Sequence, residues 1–69
     1  MHIGLYIKQK RAMFRLTQTE LAERSGVGLR FIKELEAGKK TTRMDKVNDV
    51  LNLFGEELIP GKKTIDEES

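Results

Sequence analysis

The run Gln18-Thr-Glu-Leu-Ala-Glu-Arg-Ser-Gly-Val-Gly-Leu-Arg-Phe-Ile-Lys-Glu-Leu-Glu-Ala37 sets small and apolar residues at offsets that let two short helices cross over a tight turn. Leu21 and Ala22 come first, then Gly26-Val27, then Ile32 and Leu35. A side chain larger than that of Ala22 would push the second of these helices away. Gly26 stands where a helix has to stop in a left-handed conformation, which costs glycine nothing. Val27, Ile32 and Leu35 supply the apolar side that closes back onto Leu21.

Working outward, Ile3, Ile7 and Phe14 recur at helical intervals, with Lys8, Gln9, Lys10 and Arg11 between them. This predicts a first amphipathic helix that ends near Arg15-Leu16. Thr17-x-x-Glu20 is a capping box that opens a second helix over about Gln18 to Ser25. Gly26-Val27-Gly28 forms the turn, a third helix covers about Leu29 to Ala37, and Gly38 closes it as a left-handed cap. Lys39-Lys40-Thr41 reads as an exposed loop. A second capping signature, Thr42-x-x-Asp45, opens a fourth helix whose apolar face is Met44, Val47, Val50, Leu51 and Phe54, and Gly55 ends it. Glu56–Ile59 reads either as a short strand or as an extended segment. From Pro60 the chain turns polar, so disorder is expected. The expected organisation is one all-α, four-helix domain over residues 1–59, with a polar tail over 60–69.

A 69-residue chain lies near the lower limit for a self-sufficient core. With 38% hydrophobic residues and no cysteine, neither disulfides nor a thiolate metal site can supplement that core, which leaves dimerisation as the usual remedy. No apolar run reaches the length of a membrane span and no signal peptide is evident, so a soluble, cytoplasmic protein is expected. Residues 1–59 carry eleven basic against eight acidic side chains, a surplus of three positive charges, while the tail is slightly acidic. A modestly basic body with an acidic end is compatible with an anionic partner.

Enzymatic chemistry finds few candidates. His2, the single histidine, has no Cys, Asp or Glu partner at ligand spacing, so no metal or other cofactor is expected. Glu34 and Glu36 point to different helix faces and make no natural acid–base pair. Gly26-x-Gly28 lacks the preceding strand that a phosphate-cradling loop requires.

A nucleic-acid reading uses more residues at once. Residues 18–37 make a helix-turn-helix, whose second helix has the shape to enter a DNA major groove. With Ile32 and Leu35 facing inward, Leu29, Arg30 and Lys33 project from the other side of its N-terminal half. Arg30 can present two donors to guanine O6 and N7, a discrimination of about 1–3 kcal/mol. Lys33 can reach a base acceptor or a phosphate, Leu29 a thymine methyl, and Gly28 permits close backbone approach. Gln18 lies at the N-terminus of the second helix, where free amides and the positive dipole end attract phosphate. Lys39, Lys40, Thr41 and Arg43 suit a second backbone contact.

From Ile3 to Leu58 the chain resembles the Cro/C1-type, or XRE, helix-turn-helix proteins. The resemblance is carried by Leu16-Thr-Gln-Thr-Glu-Leu-Ala22, by Gly26-Val27 and by Phe31-Ile-Lys-Glu-Leu-Glu-Ala-Gly-Lys39. Ile7-Lys-Gln-Lys-Arg11, Thr42-Arg-Met-Asp-Lys-Val47 and Leu53-Phe-Gly-Glu-Glu-Leu58 resemble the HipB-like antitoxin and autorepressor members. This similarity implies a lambda-repressor-like domain acting as a homodimeric repressor on palindromic double-stranded DNA. It implies that Gln18 contacts phosphate and that Leu29, Arg30 and Lys33 lie at or beside base-facing positions. Glu34 falls where some relatives carry a polar base reader, and Arg11 and Glu36 where many carry a structural ion pair. HipB-like relatives pair short C-terminal strands across a dimer and bind a HipA-type kinase toxin, which would give Glu56–Ile59 and the whole chain a second role. Two positions depart from the pattern: Arg15 stands where relatives often have glycine, and Gly28 replaces a serine-type cap.

Overall fold

Local start and stop signals set out four helices among the described residues, 2–41 and 43–59, of the computed structural model: α1 Ile3–Met13, α2 Gln18–Ser25, α3 Leu29–Glu36 and α4 Met44–Leu53. His2 caps α1, its Nδ1 accepting from the Leu5 N–H at 3.1 Å. The capping box of α2 is complete. Thr17 Oγ1 accepts from the Glu20 N–H at 3.0 Å, and Glu20 Oε1 accepts from the Thr17 N–H at 2.8 Å. Gly26 then takes φ +82° and donates its N–H to the Ala22 carbonyl, ending α2 as expected.

The other three helices close with one shared device, in which a left-handed residue lets the next N–H reach back five residues to a carbonyl of the last turn. Leu16 N–H reaches Arg11, Lys39 N–H reaches Glu34, and Glu56 N–H reaches Leu51, each at 3.0 Å. Gly38 and Gly55 supply the left-handed residue for α3 and α4. In α1 it is Arg15, at φ +57°.

Helix α2 packs on both α3 and α4, and α1 packs on α3. Ile7, Leu21, Ala22, Val27, Ile32, Leu35, Val47, Val50 and Leu51 form the core, with no buried polar residue among the described residues. Fully burying a side chain such as Ile7, Leu21 or Ile32 contributes about 1.5–3 kcal/mol. Gly4 is buried where α1 meets α3, and a Cβ there would overlap the Leu35 carbonyl oxygen.

Three boundaries differ from the sequence reading. Helix α1 stops at Met13, because the left-handed turn at Arg15 diverts the chain early. Phe14 therefore leaves the core face, stays half exposed and meets the Phe54 ring at a centroid distance of 4.9 Å. Helix α3 stops one residue earlier than expected, at Glu36. Helix α4 starts one residue later than the Thr42–Asp45 signature implies: its N-cap is Arg43, without a side-chain cap bond, and Arg43 itself takes the Asp45 carboxylate. Thr42 lies outside the described residues. Met44 is largely exposed, whereas Val47, Val50 and Leu51 are buried as expected.

Glu56–Ile59 forms no strand among the described residues. Side chains tie it down instead. Tyr6 Oη donates to Glu56 at 2.7 Å, Lys10 Nζ lies 3.0 Å from Glu56, and the Leu58 N–H donates to Asn48 Oδ1 at 2.7 Å. The expected disordered tail, 60–69, lies outside the described residues.

Candidate nucleic-acid interface

Helix α3 separates its residues by face. Ile32 and Leu35 are buried, while Arg30 and Lys33 are exposed and Glu34 is partly so. Successive residues turn by about 100°, which puts Arg30, Lys33, Glu34 and Ala37 on one outward strip. Leu29 is a correction. It is half buried and packs against the core rather than standing free on that strip, so only its outer edge is open to a base. Gly28 is the N-cap of α3 at φ −73°, with no neighbour that a Cβ would meet.

The Arg30 side chain is 90% exposed, and its Nε lies 3.2 Å from Glu34 Oε2. That bond leaves both terminal amino groups of the guanidinium open. Lys39, just past the helix end, reaches back to the same Glu34 oxygen at 3.4 Å. Arg30, with Lys39 second, holds the Glu34 carboxyl below its ordinary range. Lys33 makes no ion pair among the described residues.

Gln18 begins α2 and is fixed from below by a nearly buried pair. Glu36, whose side chain is 4% exposed, accepts from Arg11 Nε at 2.8 Å and Nη2 at 3.0 Å. Arg11 Nη1 also donates to the Leu16 carbonyl at 2.8 Å, and Gln18 Nε2 donates to Glu36 Oε1 at 3.0 Å. The bonds to Glu36 raise the Arg11 pKa above its ordinary value. This network joins α1, α2 and α3, and it immobilises the Gln18 amide while leaving its oxygen and one N–H unused.

Lys8, Arg11, Gln18, Lys33, Glu36 and Ala37 line one shallow groove of about 390 Å³. Because Arg11 answers Glu36, the positive surplus there belongs to Lys8 and Lys33. Lys8 was not singled out by the sequence reading. Its position three residues before Arg11, hence on the same helix face, was the available signal.

The loop residues lie at the other end of α3. Lys39, Lys40 and Thr41 line a second recess of about 250 Å³ with His2, Gly38 and Met44. Thr41 Oγ1 accepts from the Arg43 N–H at 3.0 Å. Arg43 is occupied, with Nε and Nη2 bonded to the two Asp45 oxygens at 3.1 and 2.9 Å. Chiefly through those bonds, the Asp45 carboxyl is lowered to about 2. Arg43 would have to exchange Asp45 for a phosphate. The structure thus unites Gln18 with Lys33, joins Arg30 to Lys39 through Glu34, and leaves Arg43 apart. No helix among the described residues is long and apolar enough to cross a membrane.

The sequence pattern of the helix-turn-helix proteins matches residues 7–59. A protein of Sinorhizobium fredii (strain NBRC 101917 / NGR234), named as the uncharacterized HTH-type transcriptional regulator y4mF, is 45% identical over 64 residues. The match covers 88% of this chain and 84% of that protein. No solved structure matches the chain.

Proposed function

The chain belongs to the helix-turn-helix family, and from that premise we propose that it is a cytoplasmic, sequence-specific, DNA-binding transcriptional regulator: a homodimeric repressor of an inverted-repeat operator. The observation that carries this reading is the outward strip of α3, where Arg30 and Lys33 stand free of the core beside the Gln18 end of α2.

In this reading α3 enters the major groove. The two unused amino groups of Arg30 match guanine O6 and N7. Lys33 takes a base acceptor or a phosphate, Leu29 offers its outer edge to a thymine methyl, and Gly28 keeps the helix start thin. Gln18, on the positive end of α2, takes one strand's phosphate with Lys8 beside it. Lys39, Lys40, Thr41 and, after leaving Asp45, Arg43 take another. Bound at a promoter, such a protein blocks access to it.

The homodimer is supported by the apolar surface at the chain's other end. Exposed Leu58 and Ile59 border a groove of about 540 Å³ that Ile3, Tyr6 and Leu51 also line. Two-fold symmetry in such a dimer matches the symmetry of an inverted repeat. The resemblance to HipB-like antitoxins supports a second reading, in which the same chain also binds and neutralises a HipA-type kinase. Co-purification with that kinase would establish it, and an isolated chain with no kinase partner would argue against it.

Arg30→Ala in a mobility-shift titration tests the base-reading role. It is expected to lose about 1–3 kcal/mol at one guanine position while leaving the rest of the site preference in place. An unchanged operator preference would remove Arg30 from that role.

A further inference from the structure

We infer that Glu34 sets the stringency of this interface, holding Arg30 as a base reader and cancelling charge that would otherwise go to DNA phosphate indiscriminately. The inference rests on the DNA-binding reading above and names what regulates its selectivity.

A carboxylate on the outward strip of a DNA-facing helix opposes binding unless cations accompany it. Glu34 has two, and they come from different elements: Arg30 one turn earlier in α3, and Lys39 from the loop beyond it, at 3.2 and 3.4 Å from the same oxygen. Both cations would otherwise be available to any nearby phosphate. Contacts of that kind raise affinity equally for every sequence and add to the salt dependence. Glu34 therefore lowers the non-specific component.

Its geometry also favours the specific component. Arg30 is bonded to Glu34 through Nε alone. The two terminal amino groups, the pair that a guanine edge accepts, remain unused, and a side chain 90% exposed loses part of its freedom before meeting DNA. Two substitutions separate these effects. Glu34→Gln keeps an oxygen able to accept from Arg30 Nε and removes the charge, whereas Glu34→Ala removes both. Each lies on the surface, away from the core.

The test is a set of fluorescence-anisotropy titrations over a range of salt, using the full chain with two DNA pools: an unselected random duplex library, and duplexes selected from that library by the wild-type protein. Glu34→Gln is expected to bind the random pool more tightly. Its log–log salt slope should steepen by about 0.9, the contribution of one further phosphate contact, and its ratio of selected to random affinity should fall. Glu34→Ala is expected to show a gain on random DNA at least as large and a still lower ratio, because Arg30 is released as well. Random-pool affinity and slope equal to wild type in Glu34→Gln would overturn the inference. Loss of the selected duplexes without any gain on random DNA would also overturn it, since Glu34 would then be reading a base itself. A wild-type protein that binds neither pool at the lowest salt would overturn the DNA-binding reading beneath it, which the wild-type titration alone reveals.

Discussion

Arg15 holds φ +57° so that the Leu16 N–H can return to the Arg11 carbonyl. For a side chain with a Cβ this conformation costs about 1–2 kcal/mol. Arg15→Gly relieves that strain against glycine's greater entropy loss of about 0.5–1 kcal/mol. A net gain in stability is therefore expected, read as a rise of a few degrees in the thermal midpoint. An unchanged or lower midpoint would mean that the turn is not strained. Gly4 carries the opposite constraint. Gly4→Ala would drive a methyl into the Leu35 carbonyl and separate α1 from α3. The expected loss is about 1–3 kcal/mol or more, measured by chemical denaturation. The two positions differ in how far sequence could show them. Arg15 stood out as a departure from the glycine in similar proteins, whereas nothing local to Gly4 signals a backbone arriving from thirty-one residues away. Lys8 lies between these cases: its place on the Arg11 face of α1 was legible, but its neighbour across the groove, Lys33, is near only after folding.

Among the elements, those governed by contacts within four residues were legible. Helix α2 begins and ends where its residues indicate, because Thr17, Glu20 and Gly26 each act locally. Thr17→Ala removes one half of its capping box and is expected to cost about 1 kcal/mol, seen as a lower denaturant midpoint at constant slope. No change would mean that Glu20 alone holds the end of the helix on which Gln18 sits. Helix α4 starts one residue later than its sequence signature implies, with Arg43 as N-cap, and there Asp45 has a second possible partner. A carboxylate can cap a helix or pair with a nearby guanidinium, and here Arg43 takes both of its oxygens. Helix α1 was read too long because arginine does not announce a left-handed stop, which also left Phe14 outside the core. In α3 the face was read correctly for Ile32, Leu35, Arg30 and Lys33. Leu29 was misplaced because the first turn of that helix leans on the core beneath the turn.

At the scale of the molecule, the described residues form a core of nine buried apolar side chains beneath two contrasting surfaces. One is cationic and polar: Lys8, Gln18, Arg30, Lys33, Lys39 and Lys40, steadied by the Arg11–Glu36 pair and tempered by Glu34. The other is apolar, around Leu58 and Ile59, and in the proposed homodimer the second copy covers it, adding to what a 69-residue chain can bury by itself. In the proposed function, the two surfaces together serve the reading of DNA as a two-fold object. The decisive measurement is selection of bound duplexes from a random library by the full chain, followed by sequencing. The expected result is an enriched inverted repeat, guanine-containing in each half, with half-site centres about one helical turn, roughly 34–36 Å, apart. A pool that emerges without enrichment, or a single half-site without symmetry, would contradict it.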